Sequence, residues 1–301
     1  MNVFLTGATG YIGGSVAVRL MADGHRVYGL ARSDDAAAKA EAFGMVPVRG
    51  SLDDVTVLKR AVAASDAVIH TADSDHELSA MTLLESVRGT SKPFLHTSGS
   101  SIVGTQAGGT LLDAIYDENT PFEPSPGRAA RAALNDRLLA AAGPDTRVVV
   151  MCPSLIYGLG RGPGAHSMQI PWLLETAKRH GVAKHFGPGS NRWSNVHIDD
   201  LVELYVLALA KAPAGAFYFA ENGEASMREL CLALGQMLGH AEEPVEMTLD
   251  EAAAEWGEGP AMNTMGSNSR VRAVRARAEL GWVPSARSAE DEILNGCYAT
   301  V

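Results

Sequence analysis

The chain opens on an apolar run, Val3-Phe4-Leu5, followed at once by Thr6-Gly7-Ala8-Thr9-Gly10-Tyr11-Ile12-Gly13-Gly14. Gly7, Gly10 and Gly13 recur at every third position, between a strand pattern and a helix pattern carried by Val16, Val18, Leu20 and Met21. This order constrains the fold more than any other feature of the sequence. The first glycine permits a tight turn, the second lets a pyrophosphate approach the backbone, and the third lets helix and strand pack closely. Free N–H groups at the helix start, and the positive end of its dipole, then face the phosphates of a dinucleotide. Thr9, Tyr11 and Ile12 join the three glycines as candidate cofactor contacts.

Strand and helix patterns go on alternating for about 150 residues. Strands are read at Val3–Thr6, Arg26–Ala31, Met45–Val48, Ala67–Thr71, Phe94–Ser98 and Arg147–Cys152, with helices between them. The strands are continuous apolar runs, as in Val148-Val149-Val150-Met151, which is expected where helices cover both faces of a parallel sheet. The fold class is therefore α/β, a doubly wound parallel (Rossmann) sheet with right-handed crossovers. After Pro153 glycine and proline crowd Gly158–Gly164 and Gly187–Gly189. Helices are expected at Ile170–His180, Asp199–Ala210, Met227–Leu238 and Asp250–Trp256, and Ala216–Ala220 reads as a strand returning to the main sheet. Residues 1–155, receiving the segment around 190–220, are expected to form the dinucleotide-binding domain, and residues 156–301 mainly a smaller substrate lobe. Substrate would lie between sheet and lobe, beyond the C-terminal strand ends.

The 301 residues are 46 % hydrophobic and 20 % charged with a net charge of −10, the profile of a soluble globule without a basic stripe for nucleic acid or anionic membrane. The first residues lack the basic and long apolar segments of an export signal, and no apolar run reaches membrane-spanning length. Cys152, Cys231 and Cys297 are far apart and in no metal spacing, which suits a reducing cytoplasm. His70 and His76, near Asp73 and Asp75, read as a surface loop after a strand; no metal site is expected. The implied partner is a small molecule.

The second strand ends in Ala31-Arg32-Ser33 where a site for NAD normally has an acidic residue on the ribose hydroxyls. Arg32 can stack on adenine and hold a 2′-phosphate, with Ser33 as a second donor, which favours NADP over NAD. The competing reading leaves Arg32 simply solvated.

Beyond the glycine turn, His70-Thr71-Ala72 ends the fourth strand and Thr97-Ser98-Gly99-Ser100-Ser101-Ile102-Val103-Gly104 ends the fifth. Pro153-Ser154-Leu155-Ile156-Tyr157-Gly158 ends the sixth, and Asn195-Val196-His197-Ile198-Asp199-Asp200-Leu201 opens a later helix. Together these resemble the extended short-chain dehydrogenase/reductase superfamily of the NAD-dependent epimerase/dehydratase type, over nearly the whole chain. The resemblance implies cofactor contacts at Thr71, Ala72, Thr97, Pro153, Ser154 and Ile156, and adenine contacts at Ser51 and Leu52, with Asp53 close behind. His197 and Asp200 match a segment that is structural in the family. Arg192 and Trp193 are read on a loop facing the crevice.

The family's catalytic tyrosine and the lysine four residues later do not match. Alignment of the helix after the fifth strand, from Pro124 and Asp136, puts Arg128 and Ala132 at those positions, and Gly99 falls where a serine or threonine is usual. The chain is similar to an atypical subgroup in which basic residues replace that pair. Arg128 and Arg131 share a helical face and can stabilise an oxyanion, but a guanidinium is a poor proton donor. Candidates near the reacting atoms are Ser98, Ser100, Tyr157 and, in the preceding loop, Tyr116. Three functions follow: an NADP(H)-dependent oxidoreductase of a small carbonyl or alcohol, a catalytically silent NADP-binding sensor, or an epimerase or dehydratase of a nucleotide sugar. Monomer and homodimer are both open.

Overall fold

The structure, a computed structural model, describes residues 1–300. Seven parallel strands form the central sheet: β1 (Asn2–Thr6), β2 (Arg26–Ala31), β3 (Val46–Arg49), β4 (Ala67–His70), β5 (Phe94–Thr97), β6 (Val148–Pro153) and β7 (Ala216–Ala220). Their order is β7-β6-β5-β4-β1-β2-β3. The chain winds outward from β1 in one direction, then returns to β4 on its other side. That reversal opens a crevice at the C-terminal ends of β1 and β4.

Both faces of the sheet are covered. The helices α1 (Tyr11–Ala22) and α2 (Asp34–Ala42) pack on one side, and α3 (Val55–Ala63), α4 (Glu77–Val87) and α5 (Ala129–Ala140) on the other. Local sequence sets these limits. Ser33 caps α2 by accepting from Ala36 N, Asp54 caps α3 by accepting from Val57 N, and the His76 ring caps α4 by accepting from Ser79 N. Helix α5 begins at Ala129, because Pro126–Arg128 forms a single 3₁₀ turn ahead of it.

The remaining chain divides its packing between the sheet and a second core. Helix α6 (Gln169–His180) and helix α8 (Met227–Leu238) bury Leu173, Leu174, Leu230 and Leu234 against Leu155, Tyr157 and Trp193. Between them, helix α7 (Ile198–Lys211) goes back to the sheet and packs beside α1, and β7 follows it as expected of Ala216–Ala220. A small sheet carries the lobe: Leu155–Tyr157 runs parallel to Arg192–His197, which pairs antiparallel with Glu224–Ser226. Arg192 and Trp193 are therefore in a strand, not on a crevice loop. Arg192 pairs with Glu229, and the buried Trp193 indole donates to Ser267 O. No helix among the described residues is long and apolar enough to cross a membrane.

Candidate functional site

The glycine turn sits at the mouth of the crevice. Gly7 has φ +71°, and a Cβ there would lie 2.7 Å from the Thr71 carbonyl carbon. A Cβ on Gly13 would strike Gly7 O and Thr71 Oγ1. Both positions thus require glycine because β1, the start of α1 and the end of β4 meet there. Gly10 is the N-cap of α1 and supplies no side chain to its first N–H groups. These groups are left for a ligand.

Beside them lies a cavity of about 530 Å³ lined by Gly7, Thr9, Gly10, Arg32, Ser51, Leu52, Asp53, Thr71, Ala72 and His76, among others. Candidates that follow β1, β2, β3 and β4 thus line one space. Asp34 pairs with Arg49 and Asp35 with Lys39, so neither neutralises Arg32, which has no ion pair among the described residues. The donor set and the bare helix end fit an anionic dinucleotide.

Several candidates have other roles. Tyr11 donates to Gly158 O at 2.8 Å, and Gly160 packs on its ring, which ties the glycine turn to the lobe. Thr97 is buried against Tyr205 OH at 2.6 Å, and Ser154 donates to Ala220 O at 2.8 Å. Ser33 Oγ is engaged as a helix cap, and Ser51 Oγ accepts from Asp53 N. Pro153 is buried at the end of β6, and Ile156 is half-buried and packs against the main core.

The proton-donor expectations need correction. Tyr157 is fully buried and gives its hydroxyl to Arg287 O at 2.5 Å, with its ring edge against His197. Its strand pairs with Arg192–His197, which turns the ring into the lobe core; burial, then Asp200, pushes its hydroxyl pKa up. Ser98 is buried and accepts from Asn135 Nδ2 at 2.8 Å. Ser100 is buried and bonded to Ser269. Tyr116 stacks edge-on with Phe122. Neither Ser98 nor Ser100 reaches Arg131.

Arg131 is the centre of what remains. Its Nε and Nη2 donate to the two carboxylate oxygens of Asp75 at 2.7 and 2.5 Å, and its Nη1 donates to Ser101 Oγ at 3.2 Å. Its side chain is only 13 % exposed. Gly99 lies beside it: a Cβ there would sit 3.4 Å from Nη1, in van der Waals contact. Hydrogen bonding from Arg131 holds the Asp75 carboxyl below its ordinary range. Arg128, half-buried at the N-cap of α5, makes no ion pair among the described residues; burial, then repulsion from Arg131, lowers its pKa against the opposing pull of the Asp75 carboxylate. Asp75 and Ser101 were not singled out from the sequence. The place of Asp75 in the segment after β4 is the sequence signal that points to it.

His197 caps α7 by accepting from Asp199 N, and Asp200 accepts from Ser285 N and Ala286 N. Both lie outside the crevice machinery, in the matching that holds the lobe to the sheet.

The fold and turn define a dinucleotide-binding α/β protein of the short-chain dehydrogenase/reductase type. Residues 3–218 match the model of the NAD dependent epimerase/dehydratase family, and the chain belongs to that family. An uncharacterized protein of Schizosaccharomyces pombe is 30 % identical over 99 % of this chain and 100 % of its own length. A 2-alkyl-3-oxoalkanoate reductase of Stenotrophomonas maltophilia is 30 % identical over 76 % of this chain and 73 % of its own. Among solved structures, dTDP-glucose 4,6-dehydratase from Bacillus anthracis, in complex with NAD, superposes with a TM-score of 0.79 at 18 % identity, covering 98 % of this chain and 96 % of that one. Membership and relatives support an enzyme with NAD(P)-dependent, oxidoreductase-like function.

Proposed function

We propose that this protein is an NADP(H)-dependent oxidoreductase acting on the carbonyl or alcohol carbon of a small molecule. The observation that carries the reading is the cavity joining the bare N-terminus of α1 to an unpaired Arg32. Gly7, Thr9 and Gly10 would hold the pyrophosphate, Ser51 and Leu52 the adenine, and Arg32 the 2′-phosphate, since no carboxylate neutralises it. The NAD in the Bacillus anthracis structure makes NAD the competing cofactor. The bound nicotinamide would supply or accept hydride. The chain's own task is to orient substrate and stabilise charge on its oxygen. The Stenotrophomonas relative supports 3-oxoalkanoates as the first carbonyl compounds to try.

Titration of the protein with NADPH and NADH, followed by absorbance assays on a panel of 3-oxoalkanoates, simple ketones and nucleotide sugars, tests the reading. Turnover of a carbonyl with NADPH is expected. Tight NADPH binding with no turnover supports the silent sensor, and a demand for a nucleotide sugar supports the epimerase or dehydratase.

A further inference from the structure

Four hydroxyls stand at or just beyond the end of β5, and three are committed elsewhere. Thr97 bonds to Tyr205, Ser98 to Asn135 and Ser100 to Ser269. Ser101 differs. It is half-buried, its Oγ accepts from Arg131, and its own O–H has no acceptor among the described residues. Arg131 is held from the other side by both oxygens of Asp75 and cannot swing away without breaking two charged hydrogen bonds. A hydroxyl that accepts from a fixed guanidinium becomes a better donor, because the nearby positive charge favours the deprotonated oxygen.

We propose that Ser101 is the hydroxyl that donates to the reacting oxygen of the substrate, with Arg131 as its polarising partner and Asp75 as the positioning residue of both. The proposal rests on the oxidoreductase reading above and names the group that stands in for the absent tyrosine. In the reducing direction the carbonyl carbon gains hydride from the reduced nicotinamide dinucleotide. The π pair of the C=O bond passes to oxygen. That oxygen takes the Ser101 proton, and Ser101 regains a proton from water. Ketone, hydride and proton together give the alcohol. Arg131 stabilises the serine oxygen while its charge is highest. The three residues come from three separate segments: Asp75 follows β4, Ser101 follows β5, and Arg131 lies on α5.

The test compares wild type with Ser101→Ala, Ser101→Thr and Asp75→Asn. The first readout is the infrared C=O stretch of 3-oxobutanoate, labelled with ¹³C at the ketone, in the complex with oxidised dinucleotide. The stretch is expected to shift down in wild type and in Ser101→Thr, and to return toward its unbound value in Ser101→Ala. The second readout is kinetic: kcat should fall about 100-fold in Ser101→Ala, with dinucleotide Kd unchanged, and Ser101→Thr should recover most of it. Asp75→Asn should weaken the stretch shift without abolishing it. An unchanged stretch and kcat in Ser101→Ala would overturn the role of Ser101 and leave the oxidoreductase reading standing. Wild-type protein that binds no dinucleotide, or reduces no carbonyl, would overturn both.

Discussion

Asp75 meets Arg131 through both carboxylate oxygens, joining the loop after β4 to α5 across 56 residues of sequence. The pair is asymmetric: Arg131 is mostly buried while Asp75 is half exposed. Solvent screening at Asp75 limits what the attraction adds to stability, so the larger effect is on geometry. Asp75→Ala should cost about 1–2 kcal/mol in urea unfolding. It should lower kcat at least tenfold, because Arg131 and Ser101 lose their fixed positions. Dinucleotide affinity should stay within twofold, as Asp75 does not line the cavity beside the glycine turn. Calorimetric titration with NADPH, run beside steady-state kinetics, separates the two effects.

The proposed preference for NADP(H) turns on Arg32. Asp34 and Asp35 pair with Arg49 and Lys39, so neither carboxylate neutralises the guanidinium just past β2. Arg32→Ala should weaken NADPH by at least tenfold, about 1.4 kcal/mol or more, and leave NADH nearly unchanged. Equal losses for both would show that Arg32 does not read the 2′-phosphate.

Much of this was legible because it is local. The glycine spacing, the apolar strand runs and Arg32 each follow from a few consecutive residues, and the cavity gathers them because strands of a parallel sheet end on one edge. The catalytic end was not legible in the same way. Tyr157 follows β6, where a crevice residue is expected, but pairing of Leu155–Tyr157 with Arg192–His197 turns it into the lobe. Ser98, Ser100 and Ser101 are indistinguishable by composition. Only the partners Asn135, Ser269 and Arg131, each distant in sequence, tell them apart.

The glycines of the turn offer a graded test. Gly13→Ala would drive a methyl into Gly7 O and Thr71 Oγ1, so the Gly7 backbone must give way as well as the Thr71 side chain. A loss of about 1–3 kcal/mol in stability and at least tenfold in NADPH affinity is expected. Gly24 also has positive φ, +82°, but nothing lies within 4 Å of its Cβ position. Gly24→Ala should cost about 1 kcal/mol of backbone strain and leave NADPH binding intact. Thermal unfolding and fluorescence titration of the two variants measure the contrast.

Tyr157→Phe is the complementary test at the catalytic end. The hydroxyl serves Arg287 O inside the lobe, so its removal should cost about 1 kcal/mol. The kcat and its pH profile should not move. A kcat fall of tenfold or more, with a displaced pH profile, would return Tyr157 to the reacting atoms.

Acid should weaken the fold before it protonates Asp75. Burial pushes the imidazole of His70, which is bonded to Thr6 and Ser79, from its ordinary 6.5 down to about 4. Burial also pushes His96, packed against it, well below its ordinary value. Between about 6.5 and 4 the unfolded chain binds a proton at His70 that the folded chain refuses. Stability therefore falls as pH drops through that window, by roughly 3 kcal/mol for His70 alone, and is level above it. Asp75 follows the same linkage at lower pH: its depressed pKa stabilises the fold above the ordinary carboxyl value of 3.8, and that contribution is lost only below it. Urea unfolding at a series of pH values from about 7.5 down to 4, the span that covers the His70 window from 6.5 to about 4, should show the decline. His70→Asn should flatten the part of it that His70 contributes.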